Sequence, residues 1–256
     1  MEELLKFCDV KLIYHTKTTE TLAICNMNFS VSKQEFVSIV GPSGCGKTTI
    51  LSLIAGLLSP SDGEILLSGK KITGKKNLDV GYMFQRDNLF DWLSVFQNVC
   101  LGLSIQHKKT PQNIEIAKSL IEKYGLKDFE KHHPKELSGG MRQRVALIRT
   151  LATNPKLLLL DEPFSAVDFQ TRLKVQDDVH SIIRSEKKTA ILVTHDISEA
   201  VALSDKVLVL SKRPAKVKCV FPINFNPNLT PFERRSNPKF ATYFNQIWEV
   251  LKNEED

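Results

Sequence analysis

Apolar and polar positions along the chain follow two periods. Short apolar runs occupy residues 36–40, 157–160, 189–194 and 207–210. The run Leu157-Leu158-Leu159-Leu160 does not alternate, so it predicts a strand covered on both faces. Between these runs apolar residues recur at helical spacing. They predict a helix after Gly46, one over about residues 138–152 and one over about 170–185. Strands alternating with helices indicate an α/β chain with a largely parallel sheet. Residues 87–135 read differently: helical patterns near 96–103 and over 111–124 flank the basic turn His107-Lys108-Lys109, with no strand pattern. That predicts a helical insertion into the α/β core. Near the end, Phe240, Tyr243, Phe244, Ile247, Trp248 and Leu251 share one helical face. They predict one amphipathic helix over 230–256, packed on its own domain.

Composition adds limits. With 42% hydrophobic and 25% charged residues over 256 positions, chain-wide disorder and fibrous repeats are excluded. Lys+Arg exceeds Asp+Glu by 35 − 29 = +6, which suits an anionic substrate, an anionic membrane surface or nucleic acid without choosing among them. No apolar run reaches the roughly 18–20 residues that span a bilayer, and Met1-Glu2-Glu3-Leu4-Leu5-Lys6 lacks a signal-peptide layout. The chain is therefore expected to be neither secreted nor integral to a membrane. Cys8, Cys25, Cys45, Cys100 and Cys219 form an odd set without a CxxC pair, as expected for reduced thiols.

Chemistry enters at Gly41-Pro42-Ser43-Gly44-Cys45-Gly46-Lys47-Thr48, which fits G-x-x-x-x-G-K-[ST] between a strand and a helix. Glycines let successive N–H groups ring a phosphate, and the helix N-terminus adds its positive end. Lys47 is placed for the β- and γ-phosphates, Thr48 for Mg²⁺, and Thr49 follows on the same turn. Cys45, at a helix N-terminus, is expected to have a lowered thiol pKa and to react with alkylating agents unless ATP protects it. The apolar strand at 157–160 ends in Asp161-Glu162. Asp161 suits Mg²⁺, and Glu162 suits a base that activates water. His195 ends the strand at 189–194, where it can reach a γ-phosphate or the attacking water.

Leu137-Ser138-Gly139-Gly140-Met141-Arg142-Gln143-Arg144 resembles the signature motif of ATP-binding cassette (ABC) transporter ATPases. The family order is phosphate loop, glutamine after a strand, signature, acidic strand and switch histidine. Here these are residues 41–48, Gln85, 137–143, 157–162 and His195. Ser165-Ala166-Val167-Asp168 is similar to the loop that touches the opposite subunit. The resemblance implies a P-loop NTPase fold with a RecA-like parallel-sheet core, an N-terminal antiparallel β subdomain and a helical subdomain at about 87–152. The ATPase domain would cover residues 1–229. It implies ATP hydrolysis to ADP and phosphate with Mg²⁺ held by Thr48, Gln85 and Asp161. Ser138, Gly139 and Gly140 would complete the site of a second cassette, a homodimer being expected, and Tyr14 would stack on adenine. Implied partners are membrane permease subunits and an extracytoplasmic solute-binding protein, at the cytoplasmic face of the membrane, with no nucleic acid. Asp91-Trp92-Leu93, Met141 and Ser211-Lys212-Arg213-Pro214 are similar to importers of the nitrate, sulfonate and taurine group. A soluble cassette ATPase of nucleic-acid metabolism or protein assembly, and an exporter ATPase, stay open as alternatives. Gln34 departs from the family by standing where many relatives carry glycine, and Val167 by replacing leucine.

Overall fold

The computed structural model describes residues 2–16, 18–72, 74, 77–165 and 167–255. Two long strands, β1 (Glu3–His15) and β2 (Glu20–Ser32), pair antiparallel. β3 (Phe36–Val40) leads through the glycine-rich loop into α1 (Lys47–Ile54). Next come β4 (Asp62–Leu67), β5 (Lys70–Lys71) and β6 (Val80–Met83). Three helices follow: α2 (Val95–Ile105), α3 (Pro111–Lys123) and α4 (Gly139–Leu151). The chain then alternates through β7 (Leu157–Asp161), α5 (Phe169–Ser185), β8 (Thr189–Val193), α6 (Ile197–Leu203), β9 (Lys206–Leu210) and β10 (Val217–Pro222). It closes with α7 (Pro231–Arg235) and α8 (Pro238–Glu255).

The strands form two sheets. β2-β1-β4-β5 is four-stranded and antiparallel; β10-β9-β3-β8-β7-β6 is six-stranded and parallel except for the β9–β10 edge. β7 explains the layering. Its four leucines are fully buried, and their alternation sends them to opposite cores. Leu158 and Leu160 join α2–α5, whereas Leu157 and Leu159 join α1 and the antiparallel sheet. Each such burial contributes about 2 kcal/mol. The helical insertion stands between β6 and β7, and Ser94 and Thr110 accept hydrogen bonds from backbone N–H groups at the starts of α2 and α3.

The tail corrects the sequence expectation of a single helix over 230–256. Thr230 and Glu233 form a capping box that starts α7, and a new helix begins at Pro238. Proline disfavours helical geometry at Asn237 just before it, so the two helices cannot merge. Ile247 is fully buried in a third core shared with α6 and β9, with Phe240, Tyr243, Phe244 and Leu251 around it. Trp248 leaves that face and is 48% exposed. Gln34 sits in a left-handed turn at φ 61°, a conformation that glycine adopts most readily. Its N–H donates to Thr189 Oγ1 at 2.8 Å.

A buried histidine makes the fold sensitive to acid. His180 on α5 lies against Phe36, and its Nε2 accepts from Arg184 Nε at 3.3 Å. Burial pushes its imidazole down to about 3, and the Arg184 and Arg234 guanidinium groups add to this. In the unfolded chain it titrates near ~6.5. Between those values only the unfolded state holds the extra proton, so stability falls as pH drops from about 6.5 toward 3, by on the order of 4 kcal/mol. His180→Phe is expected to flatten this part of the curve in urea unfolding at stepped pH. An unchanged slope would assign the acid sensitivity elsewhere.

Candidate functional site

The loop at 41–48 closes where β3 ends at the edge of the core. Gly44 (φ 70°) and Gly46 (φ 124°) take backbone angles that side chains oppose. Lys47 is nearly buried, and its ammonium donates to the carbonyls of Gly41 (2.8 Å) and Pro42 (2.9 Å), which lays it across the loop. The Arg213 guanidinium braces the loop from outside by donating to the Gly44 carbonyl at 2.9 Å.

Cys45 departs from the expectation of a reactive thiol. It is buried, and burial pushes its thiol pKa up; the Lys47 charge offsets this only in part. Loss of solvation outweighs the helix N-terminus. Its backbone stays in the phosphate loop, while its side chain is packed away from solvent. Iodoacetamide at neutral pH is expected to label Cys219 at least about tenfold faster than Cys45, read by mass spectrometry of the peptides. Equal rates would mean that the loop opens.

The acidic strand end divides its two carboxylates. Asp161 accepts from Thr48 Oγ1 at 3.4 Å and from the Tyr82 hydroxyl at 2.9 Å. Burial pushes its carboxyl above the ordinary range, partly offset by those two donors. Burial and then the Asp161 charge push the Tyr82 phenol well up, so it remains a donor. Glu162 has φ 45°, a strained angle for this residue. Its carboxylate meets His195 Nδ1 at 3.1 Å. His195 sits between β8 and α6, and the next residue, Asp196, caps α6 by accepting from Ser198 N (2.7 Å) and Glu199 N (3.3 Å). Glu199 is buried and held by Thr194 Oγ1 (2.7 Å) and Gln176 Nε2 (2.9 Å). This brace fixes the turn that presents His195.

A cavity of about 510 Å³ gathers Gly41, Ser43, Lys47, Glu162 and His195 on one side. Ser138, Gly139, Gly140 and Gln85 do not line it. Ser138 caps α4 by accepting from Met141 N at 3.3 Å, so the first-turn N–H groups of Gly139 and Gly140 start a helix away from this cavity. Gln85 is exposed beyond β6. The segment after it is held from α4: Arg142 donates to the Asp87 carboxylate at 3.0 Å, and Arg149 donates to the Asp87 and Asn88 carbonyls, both at 2.7 Å. Tyr14 is half-exposed, and its hydroxyl lies 3.2 Å from Thr49 Oγ1. Of the segment 165–168, Ala166 lies outside the described residues; Asp168 caps α5 by accepting from Thr171 N at 3.0 Å.

Sequence reasoning did not find Tyr82, Glu199 or Gln176, and it met Arg213 only as part of the Ser211–Pro214 resemblance, without its role on the loop. Tyr82 had a local signal, standing three residues before Gln85 on the strand that leads to it.

Thr48 and Asp161 offer a hydroxyl and a carboxylate, the hard oxygen donors that Mg²⁺ prefers. Among the described residues no group of three His, Cys, Asp or Glu could hold a metal ion. A cation here therefore fits best with phosphate oxygens completing its shell. An N–H-lined loop, a lysine and a carboxylate–histidine pair around one cavity, with the Thr48–Asp161 oxygen pair at the adjoining positions of loop and strand, define a nucleoside-triphosphate hydrolase of the P-loop class.

The family model described as ABC transporter matches residues 24–165. Over 253 residues the chain is 46% identical to the uncharacterized ABC transporter ATP-binding protein YtlC of Bacillus subtilis, covering 97% of each chain. It is 42% identical over 225 residues to the aliphatic sulfonates import ATP-binding protein SsuB of Bacillus cereus, covering 88% of this chain and 86% of that one. A solved dimeric ATP-binding cassette in a post-hydrolysis state, bound to ADP and Pi, matches with a TM-score of 0.71 at 30% identity. The match covers 87% of this chain and 100% of that chain. The chain belongs to the ABC transporter family and is its ATP-binding, ATP-hydrolysing cassette.

Proposed function

We propose that the chain drives an ABC importer for a small anionic or organic solute of the nitrate, sulfonate or taurine type. The observation that carries the catalytic reading is the Glu162–His195 pair, 3.1 Å apart beside the phosphate loop. The solute class is supported by the name of the sulfonate-importer relative. In this reading residues 1–229 are the ATPase domain, with the helical subdomain at about 87–152 inserted, and 230–256 the tail packed on it.

Two copies act head to tail. Each supplies residues 41–49 to one ATP and its Ser138–Gly139–Gly140 turn to the other, because that turn lies away from its own cavity. Tyr14 faces adenine beside Thr49. Mg²⁺ would be held by Thr48 and Asp161, with Gln85 reaching it as the site closes, and when bound it neutralises phosphate charge. Glu162 takes the proton of a water whose oxygen attacks the γ-phosphorus; the bond to the β–γ bridging oxygen breaks, and ADP and phosphate leave. His195 holds Glu162 in place. Lys47 and the partner turn stabilise charge on the transferring phosphoryl group.

Exposed aromatics flank Gln85: Phe84, stacked on Tyr82 at 4.5 Å, precedes it, and Phe90 and Trp92, tilted rings 4.8 Å apart, follow it, with Trp92 72% exposed. Arg142 and Arg149 tie this segment to α4. Closure of the dimer at the start of α4 would therefore move this surface, which suits docking onto a permease. In this reading the chain sits peripherally at the cytoplasmic face of the membrane, with a solute-binding protein on the other side.

Glu162→Gln is expected to lower kcat at least about a hundredfold and leave ATP affinity within about twofold. Turnover assay and calorimetry read the two effects; wild-type turnover would remove Glu162 as the base. The tagged chain, purified in mild detergent, is expected to carry a multi-span membrane protein identifiable by mass spectrometry. Recovery with soluble proteins or nucleic acid alone would overturn the transport assignment.

A further inference from the structure

The cavity that holds Lys47, Glu162 and His195 has a second wall, and it comes from the end of the chain: Trp248, Leu251 and Lys252 of α8. None belongs to the motif set. Trp248 and Lys252 are four residues apart and so share one helical face. The neighbouring face, Ile247 and Glu254, is buried in the protein. The helix is thus fixed with one side in the core and the other lining the cavity that the phosphate loop also lines.

Its attachment runs to the loop itself. The Glu254 carboxylate accepts from Lys212 N at 3.1 Å and from Lys218 Nζ at 2.7 Å. Lys212 precedes Arg213, whose guanidinium donates to the Gly44 carbonyl. The last turn of α8 and the middle of the phosphate loop therefore share one anchoring segment. Lys47 is the one ammonium the loop motif supplies, and a triphosphate carries several negative charges. Lys252, a second cation lining the same cavity, complements it.

We propose that α8 is part of the nucleotide site: Lys252 places a second ammonium on the bound phosphates, and Trp248 with Leu251 forms the apolar wall that keeps water from them. This rests on the reading of residues 41–48 as the phosphate-binding loop. Lys252 is exposed and Trp248 half-exposed, so both can be changed without disturbing the packed face of the helix.

The chain has two tryptophans, so Trp92→Phe leaves Trp248 as its single indole reporter. The full-length variant is titrated with the β,γ-imido analogue of ATP and with ADP, and calorimetry measures the same affinities independently. Saturating analogue is expected to shift Trp248 emission. Lys252→Ala is expected to weaken analogue binding about fivefold and ADP binding less, with Lys252→Arg within about twofold of the parent. An unchanged melting temperature verifies that the variants are folded. Parental analogue affinity in Lys252→Ala, or Trp248 emission blind to analogue that calorimetry shows bound, overturns the role of α8 and leaves the loop reading standing. Absence of calorimetric binding to the parent, or parental affinity in Lys47→Ala, overturns the loop reading and the inference together.

Discussion

The doubly covered strand β7 is the constraint on which the rest of the structure depends. Four consecutive leucines have no polar face, so the chain must place a layer on each side of them. The helical insertion and α5 supply one layer; α1 and the antiparallel sheet supply the other. Once both faces are closed, the strand's charges can appear only at its end. Asp161 and Glu162 emerge together beside the loop that β3, two strands away across β8 in the same sheet, brings to the same end.

That edge concentrates the chemistry because parallel strands end in register. β3, β8 and β7 deliver the phosphate loop, His195 and the acidic pair from three separate parts of the chain. Each arrives with its own brace. Tyr82 holds Asp161, and Glu199 with Gln176 secures the turn after β8. Preorganised dipoles and charges of this kind are where phosphoryl transfer obtains most of its catalysis. The positive φ at Glu162 fits the same pattern, since backbone strain persists where the surroundings over-determine it.

The family's motif order reads as a mechanical arrangement once the arginines of α4 are included. The helix that begins at Ser138 grips the segment after Gln85 through Arg142 and Arg149. One end of α4 presents N–H groups, and its side holds the Asp87–Asn88 segment that runs between Phe84 and the exposed Phe90–Trp92 pair. In the proposed docking reading, a contact at the first would move the second without a long relay.

The sequence by itself determined what local period and spacing can encode. The β7 run, the phosphate loop, the acidic pair, the helical insertion and the apolar face of the tail were all legible, because each needs only neighbouring residues to state its preference. The break before Pro238 was also written there, but the apolar spacing hid it. Other features were decided by distance in space. The fold buries the Cys45 sulfur and so pushes its thiol pKa up, and no helix-end argument could foresee that loss of solvation. Tyr82, Glu199 and Arg213 acquired their tasks from partners far along the chain. Trp248 matched the core period of its helix, yet it faces the phosphate cavity. A helix position commits only to a face; which neighbour that face meets is set by how the layers close.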